Sequence, residues 1–386
     1  MKRGEDTMAI KVNPNLLNDI KSYGAFDISA CFNCGNCTAV CPLAEESASF
    51  PRRMIRLGQI GSKEQLVTAK EPWLCYYCAE CSETCPRQAE PGEYMAALRR
   101  YQIATLDPTG LGKLMFRHSW FAVLFSLASG TFLGALLLRE RATQYPAWLF
   151  RNTVTYETVH DIGIGVAVLL SILLVLSLVA LVRRSGIFAL LKKKGVGKAR
   201  LEILRELITM KRHSKCHEIA GQKTPWHLNP RFVHLGIMWG FLMLAGATGL
   251  DFLVIYLLPK LVPSVGQMTL FYPARVLGTT GGMVMLWGVS TAIWKRFRRT
   301  ERASSQTKFA DAWLLGYLWI LAVTGFWLEI VVTLRAEHLV NDWVLVVHAA
   351  MAMQLVLFIG MTKLGHILYR PFMLMKHLLE KEGASQ

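Results

Sequence analysis

Eight of the nine cysteines in this 386-residue chain fall into two groups that can bind metal. The first group reads CFNCGNCTAVCP and places Cys31, Cys34, Cys37 and Cys41; the second reads CYYCAECSETCP and places Cys75, Cys78, Cys81 and Cys85. Both follow CxxCxxCxxxCP. Two-residue gaps let three thiolates of one group fold around a single iron–sulfur cube, while the fourth, followed by proline, is directed to the neighbouring cube. The expected sets are therefore Cys31, Cys34, Cys37 and Cys85 for one 4Fe-4S cluster, and Cys75, Cys78, Cys81 and Cys41 for the other. Structural zinc uses paired CxxC units, which leaves the third and fourth cysteines of each group surplus. Disulfides do not persist in a reducing compartment. Small residues between the cysteines, Gly35 and Ala79, let backbone amides approach the cluster sulfurs. Cys216, in HSKCH with His213 and His217, reads as part of a solvated loop, and the lack of any CxxCH excludes covalent c-type haem.

Histidines at membrane depth are the second chemical signal, because ionisable groups are costly in a bilayer. A last apolar helix over 342–368 would carry both His348 and His366. Their separation is five turns at 3.6 residues each, which puts them on one face and about 27 Å apart along the axis. That is the geometry for two stacked b haems, each needing a second axial ligand from another helix at matching depth. Depth selects His234 for the inner haem with His366, and His160 for the outer haem with His348, with His118 in reserve for the inner one. His213, His217, His227, His338 and His377 read as loop or interface residues. Asp251 and Glu329 lie toward the outer ends of their helices, where quinol oxidation must release protons, and Lys260 is placed to bond a quinone carbonyl. The alternative for all three is interfacial anchoring.

These groups need two kinds of scaffold. Residues 1–110 are polar and mixed and read as a helical ferredoxin-type head, whereas residues 111–386 hold runs of about twenty apolar residues that read as a transmembrane cytochrome b domain. Six spans are expected, over 116–138, 160–182, 232–257, 272–294, 311–334 and 342–368. In the head, Asn13-Pro14, Phe50-Pro51, Gly58 and Gly61 are breakers, and Glu93 to Ala104 reads as a helix. The stretch ARLEILREL in the loop after the second span is amphipathic and suits the membrane surface or the underside of the head. Gly236, Gly240, Gly246 and Gly249 give the third span a small-residue face that suits either a porphyrin or helix packing. The expected fold class is thus all-α, a two-cluster head fused to a six-helix membrane domain.

The net charge of +16 raises the question of nucleic acid, but the excess lies in two connections between apolar runs, Arg183 to Lys223 and Lys295 to Lys308. Juxtamembrane Lys and Arg set orientation, so the charge reports topology and no nucleic-acid partner is expected. The start MKRGEDTMAIKV lacks the apolar stretch of a secretory signal. The head and both termini are therefore expected on the cytoplasmic side of the inner membrane, with lipid around the multi-pass domain.

Two resemblances cover most of the chain. Residues 28–104, with WLCYYCAECSETCP and the following MAALRR, resemble the small iron–sulfur subunit of heterodisulfide reductases. FVHLGIMWGF at 232, DAWLLGYLWILAVTGFWLE at 311, His348 and KLGHILYRP at 363 resemble the cytochrome b subunits of that enzyme and of respiratory nitrate reductase. A single chain joining both parts is similar to the family of fused iron–sulfur and cytochrome b subunits in the quinone-interacting membrane-bound oxidoreductase complexes of sulfate reducers. That resemblance implies flavin-containing, heterodisulfide-reductase-like partner subunits, menaquinone as the membrane substrate and electron delivery toward adenylylsulfate reductase. In the nitrate reductase pattern a second histidine lies ten residues beyond the first, where this chain has Leu244, so His160 is taken as the outer ligand instead. Alternative readings are a subunit serving heterodisulfide or sulfite reduction, and a membrane anchor with structural histidines.

Overall fold

The computed structural model describes residues 11–45, 47, 49–139, 154–194, 199–214, 224–257, 272–299, 308–336 and 338–384. Among the described residues every regular element is helical. The chain folds as two compact units, one of residues 1–122, 170–221 and 358–386, the other of residues 123–169 and 222–357.

The first unit is organised by helix Pro91–Leu106, which starts on a proline whose fixed φ suits the first helical turn and is buried on nearly every side. Its Tyr94, Met95 and Leu98 meet Leu16, Ile20, Ile28, Met54, Ile55 and Leu66 in one core, and the C-terminal helix His366–Ala384 adds Leu374, Leu378 and Leu379. Burying each of these side chains contributes about 1.5–3 kcal/mol. Gln102, fully buried, donates to the carbonyls of Leu66 at 2.7 Å and Ala69 at 2.9 Å, which ties the end of helix Lys63–Val67 to the central helix. Gly58 of helix Arg52–Gln59 must be glycine, because a Cβ there would lie 2.1 Å from the Tyr94 hydroxyl oxygen.

In the second unit, helices Pro230–Leu257 and Pro273–Arg298 approach to backbone contact. A Cβ on Gly240 would sit 2.6 Å from Met285, and one on Gly288 2.9 Å from Ile237. Gly236 meets Trp287 in the same seam, so the first two glycines of the small-residue face serve helix packing here, while Gly249 has nothing within 4 Å. Helix Phe309–Leu334 faces Leu339–Leu357, with the Tyr317 hydroxyl donating to the Met351 carbonyl at 3.0 Å and Trp327 Nε1 to Asn341 Oδ1 at 3.0 Å.

Among the described residues six helices are long and apolar enough to cross a membrane: Ser119–Leu137, Glu157–Ser185, Pro230–Leu257, Pro273–Arg298, Phe309–Leu334 and Leu339–Leu357. The first five match the sequence reading within a few residues. Val168, Ile172, Val175 and Val179 stand exposed along the second, a stripe that water would not tolerate and lipid would. The chain is a multi-pass membrane protein.

The sixth span differs from expectation. It ends at Leu357, a turn and a 3-10 stretch at Lys363–Gly365 follow, and a separate helix starts at His366. The sequence there, FIGMTKLGH, contains two glycines and Thr362, whose side chain accepts the Leu364 N–H and competes with helix continuation. His348 and His366 therefore belong to different helices, and the five-turn register that put them on one face does not hold.

Candidate metal centres

The two cysteine motifs fold as copies of one another. In each, a left-handed residue precedes the second cysteine and another follows it: Asn33 and Gly35 at φ 60° and 91°, Tyr77 and Ala79 at φ 60° and 68°. A one-turn helix then carries the third cysteine, Asn36–Ala39 and Glu80–Glu83. Three of these four left-handed residues are not glycine, a conformation that costs roughly 1 kcal/mol or more each. The curl turns amides onto sulfur: the N–H groups of Asn33 and Tyr77 point at Cys31 and Cys75 Sγ, each at 3.4 Å, and that of Ala89 at Cys85 Sγ at 3.4 Å. Gly35 and Ala79, the small residues expected to let backbone amides approach sulfur, supply the second left-handed turn of each loop.

Further side chains hold the loops together. Gln59 Nε2 donates to the Cys31 carbonyl at 2.9 Å and its other atom accepts from Asn33, while Asn36 donates to the Thr84 carbonyl beside Cys85. The second motif is fastened to the central helix by Gly92 N–H to Ser82 Oγ at 3.0 Å and by the Tyr77 hydroxyl to Glu93. Glu93 in turn lies 3.9 Å from Arg100, both almost fully buried.

Cys41 lines one cavity together with Cys75, Cys78 and Cys81, walled by Pro42, Phe50 and Met95. Among the described residues no three Cys, His, Asp or Glu side chains close on a single ion, and none of the eight described cysteines is in a disulfide. The donor set suits an iron–sulfur group: four sulfurs around one cavity, amides aimed at sulfur, and apolar walls. Burial pushes the Cys37 thiol up to about 11, with Cys31, Cys34 and Cys85 as neighbours that add to it. Burial likewise pushes Cys41 up to about 12, with Cys75 and Cys78 adding to it. Binding iron must therefore displace protons from these thiols.

Around Cys75 lies a polar group that sequence reasoning passed over. Arg99 Nη1 donates to the Cys75 carbonyl at 3.4 Å. The Arg370 guanidinium stacks 4.3 Å above the Tyr76 ring and lies 3.9 Å from Glu206. Glu206, on helix Ala199–Thr209, accepts from the Tyr76 hydroxyl and from the Arg212 amide at 3.1 Å, and buried His213 meets the Tyr76 ring at 4.7 Å. The amphipathic ARLEILREL segment thus packs under the cysteine motif. His213 was expected as a loop or interface residue, and Arg370 stood only as part of KLGHILYRP; its place one turn after His366 was the available signal.

The candidate haem ligands come from four helices. His366 Nδ1 lies 2.7 Å from the Lys363 carbonyl, which can only accept, so Nδ1 carries the hydrogen and the lone pair is on Nε2. Burial pushes His366 down to about 4, with Arg370, Arg99 and Lys363 reinforcing it against that hydrogen bond. His348 Nδ1 lies 2.8 Å from Thr324 Oγ1, whose own hydrogen reaches the Ile320 carbonyl at 2.7 Å, so His348 too presents Nε2. An imidazole that gives Nδ1–H to a fixed acceptor is the usual form of a metal-ligating histidine, so both rings fit haem ligation.

His234 sits half-buried in the opening turns of Pro230–Leu257. The His160 ring stacks on Phe252 at 5.7 Å and meets Tyr256 at 5.1 Å. His118 is exposed in the break between Leu111–Arg117 and Ser119–Leu137. Asp251 accepts from the Tyr272 hydroxyl at 3.1 Å, and Glu329 is paired with Arg275 at 2.7 Å. Lys260, Cys216 and His217 lie outside the described residues.

Similarity to known proteins follows the same division. Residues 27–89, both cysteine motifs, match the 4Fe-4S dicluster domain. Residues 166–385, more than half of the chain, match the model described as citrate utilization protein B. The chain belongs to the citrate utilization protein B family. His234, His348, His366, Asp251 and Glu329 lie inside that family match, while His118 and His160 precede it. The head is 36% identical over 101 residues to a protein of Archaeoglobus profundus that is itself like a heterodisulfide reductase subunit, covering 25% of this chain and 54% of that one. It is 34% identical over 71 residues to a subunit of the H(2):CoB-CoM heterodisulfide,ferredoxin reductase of Methanothermobacter thermautotrophicus, covering 18% of this chain and 38% of that one. It is also 27% identical over 96 residues to an iron-sulfur subunit of the CoB–CoM heterodisulfide reductase of Methanopyrus kandleri, covering 23% and 50%. The chain spans about half or less of the length of these curated relatives. No solved structure matches it. This citrate utilization protein B family member thus joins a 4Fe-4S dicluster head, similar to these heterodisulfide reductase subunits, to membrane helices.

Proposed function

We propose that this chain is the membrane subunit of a respiratory complex that passes electrons between menaquinol and cytoplasmic flavin-containing partners, which feed adenylylsulfate reductase. It resembles in this the fused subunits of quinone-interacting membrane-bound oxidoreductase complexes, and the heterodisulfide reductase subunits similar to the head suggest partners of that kind. The observation that carries the reading is the Cys41 cavity: the last cysteine of the first motif stands among the first three of the second, the crossed arrangement that two adjacent clusters require.

When bound, two 4Fe-4S clusters and b haems supply one-electron carriers. Cys31, Cys34, Cys37 and Cys85 hold one cluster, and Cys75, Cys78, Cys81 and Cys41 the other. His348 and His366 would hold b haem through Nε2, with His234 and His160 as their partners and His118 in reserve. Asp251, Glu329 and Lys260 take up protons and orient the quinone on the outer side. Both termini and the head, residues 1–110, face the cytoplasm, and residues 111–386 form the haem-bearing domain in the inner membrane. Glu329 receives Arg275 Nε at 2.7 Å, so a quinol donating there must share the carboxylate with a guanidinium.

The family description favours one second reading, in which a partner that oxidises a citrate-type carboxylate reduces this chain and quinone is the acceptor. The test is to purify the chain with its co-purifying subunits, count iron, acid-labile sulfide and b haem, and add a menaquinol analogue. Haem reduction by quinol with two clusters per chain is expected. Absence of a b-haem spectrum sinks the quinol route, and a co-purifying carboxylate dehydrogenase shifts the choice to the second reading.

A further inference from the structure

Two half-buried guanidinium groups, those of Arg99 and Arg370, lie against one of the two cysteine motifs. Arg99 donates to the Cys75 carbonyl at 3.4 Å, and among the described residues no carboxylate pairs with it. Its neighbour Arg100 is already matched by Glu93. Arg370 lies flat on Tyr76, between Cys75 and Cys78, with 17% of its side chain exposed and Glu206 as its carboxylate at 3.9 Å. Arg212 gives its backbone N–H to the same carboxylate at 3.1 Å, while its guanidinium meets Glu202 at 3.2 Å. Burial pushes Arg370 down to about 10, which leaves it charged at neutral pH. Beside the first motif Arg52 Nη1 would lie 2.9 Å from a Cβ on Gly35, but Arg52 is exposed and screened by water.

A thiolate-ligated cluster is anionic and gains a further negative charge on reduction, so a nearby buried cation stabilises the reduced form. We infer that Arg99 and Arg370 are positioning residues that make the cluster held by Cys75, Cys78, Cys81 and Cys41 the more easily reduced of the two, and place it next to His366. Arg370 stands one helical turn after His366 on helix His366–Ala384. The Cys75 cluster is therefore the one that exchanges electrons with the haem at His366, and the Cys31 cluster is the one that serves the soluble partner. This inference rests on the reading that two clusters are bound.

The experiment is a potentiometric titration of the full membrane chain, following the reduced clusters by electron paramagnetic resonance in wild type, Arg370→Gln, Arg370→Lys, Arg99→Gln, Arg99→Lys and Arg52→Gln, with iron counted in each. The Gln variants at 370 and 99 are expected to lower the potential of one cluster only. Each should shift electron exchange between the clusters about ten-fold, about 59 mV for one electron. The Lys variants should recover most of the shift, and Arg52→Gln should move neither cluster. Unmoved potentials in both Gln variants with full iron overturn the inference, as do equal shifts of both clusters. If the Gln and Lys variants alike lose iron, the guanidinium groups are structural supports and the inference also fails. A wild-type chain with fewer than two clusters is a different result: it removes the proposed function itself.

Discussion

Cys41 and Cys75 line one cavity although they are the last cysteine of one motif and the first of the other. The crossing makes a prediction that simple counting of cysteines would miss. Cys41→Ser should leave the cluster of Cys31, Cys34, Cys37 and Cys85 intact, so its surviving paramagnetic signal should match that of Cys78→Ser and differ from that of Cys34→Ser. The double variant of Cys41 and Cys78 should keep about half of the iron, whereas that of Cys41 and Cys34 should keep almost none. The reverse, about half of the iron kept by the Cys41 and Cys34 pair and almost none by the Cys41 and Cys78 pair, would mean that each motif serves its own cluster.

His348 provides a second test because its orientation depends on one hydroxyl. Thr324 Oγ1 lies 2.8 Å from Nδ1, and Gly325 leaves room for the ring, since a Cβ there would sit 3.2 Å from its Cε1 carbon. Thr324→Val keeps the shape and removes the acceptor, leaving a buried N–H at a cost of about 1–3 kcal/mol. Loss of such a supporting partner lowers metal affinity roughly 10–100-fold. Haem content, read from the pyridine haemochrome, should fall in Thr324→Val, fall further in His348→Ala and hold in Thr324→Ser. Full haem in His348→Ala would remove His348 from the ligand set.

The sequence was most informative where chemistry depends on residue type and spacing. The CxxCxxCxxxCP repeat located both motifs, and apolar run length located five spans to within a few residues. It was least informative where geometry depends on distant packing. The break before His366 was hidden because FIGMTKLGH is apolar enough to extend a span, and only the Thr362 cap and the fit of Gly365 against Ile103 and Tyr369 end it. Arg99, Arg370, Glu206 and His213 were likewise illegible as a group. They come from three separate stretches, and charge counting assigns exposed roles to residues that are in fact half-buried or buried.

Gln102 offers a stability test of the head that does not touch a metal ligand. Its amide donates to Leu66 O at 2.7 Å and Ala69 O at 2.9 Å, and the side chain is fully buried. Gln102→Leu keeps the volume and strands two carbonyls, so a loss of about 2–4 kcal/mol is expected. Thermal unfolding followed by circular dichroism in detergent should show a lower midpoint for Gln102→Leu, with an unchanged iron count at low temperature. A midpoint equal to wild type would show that the two carbonyls find other donors.

Gly240 tests the closest helix contact in the second unit. A Cβ at that position would lie 2.6 Å from the Met285 backbone nitrogen and 2.7 Å from the Gly281 carbonyl, so the clash is with backbone and no side chain can swing away. Gly249, on the same helix, has nothing within 4 Å and serves as control. If the glycine face packs helices, Gly240→Ala must push Pro230–Leu257 off Pro273–Arg298, at a cost of about 1–3 kcal/mol for the overpacked methyl. Helix propensity alone would favour alanine at both positions by up to about 1 kcal/mol. The two effects oppose each other at Gly240 and the second acts alone at Gly249. A lowered unfolding midpoint for Gly240→Ala beside an equal or raised one for Gly249→Ala is therefore the expected pair of results. A raised midpoint in both would mean that the two helices are not held at backbone contact.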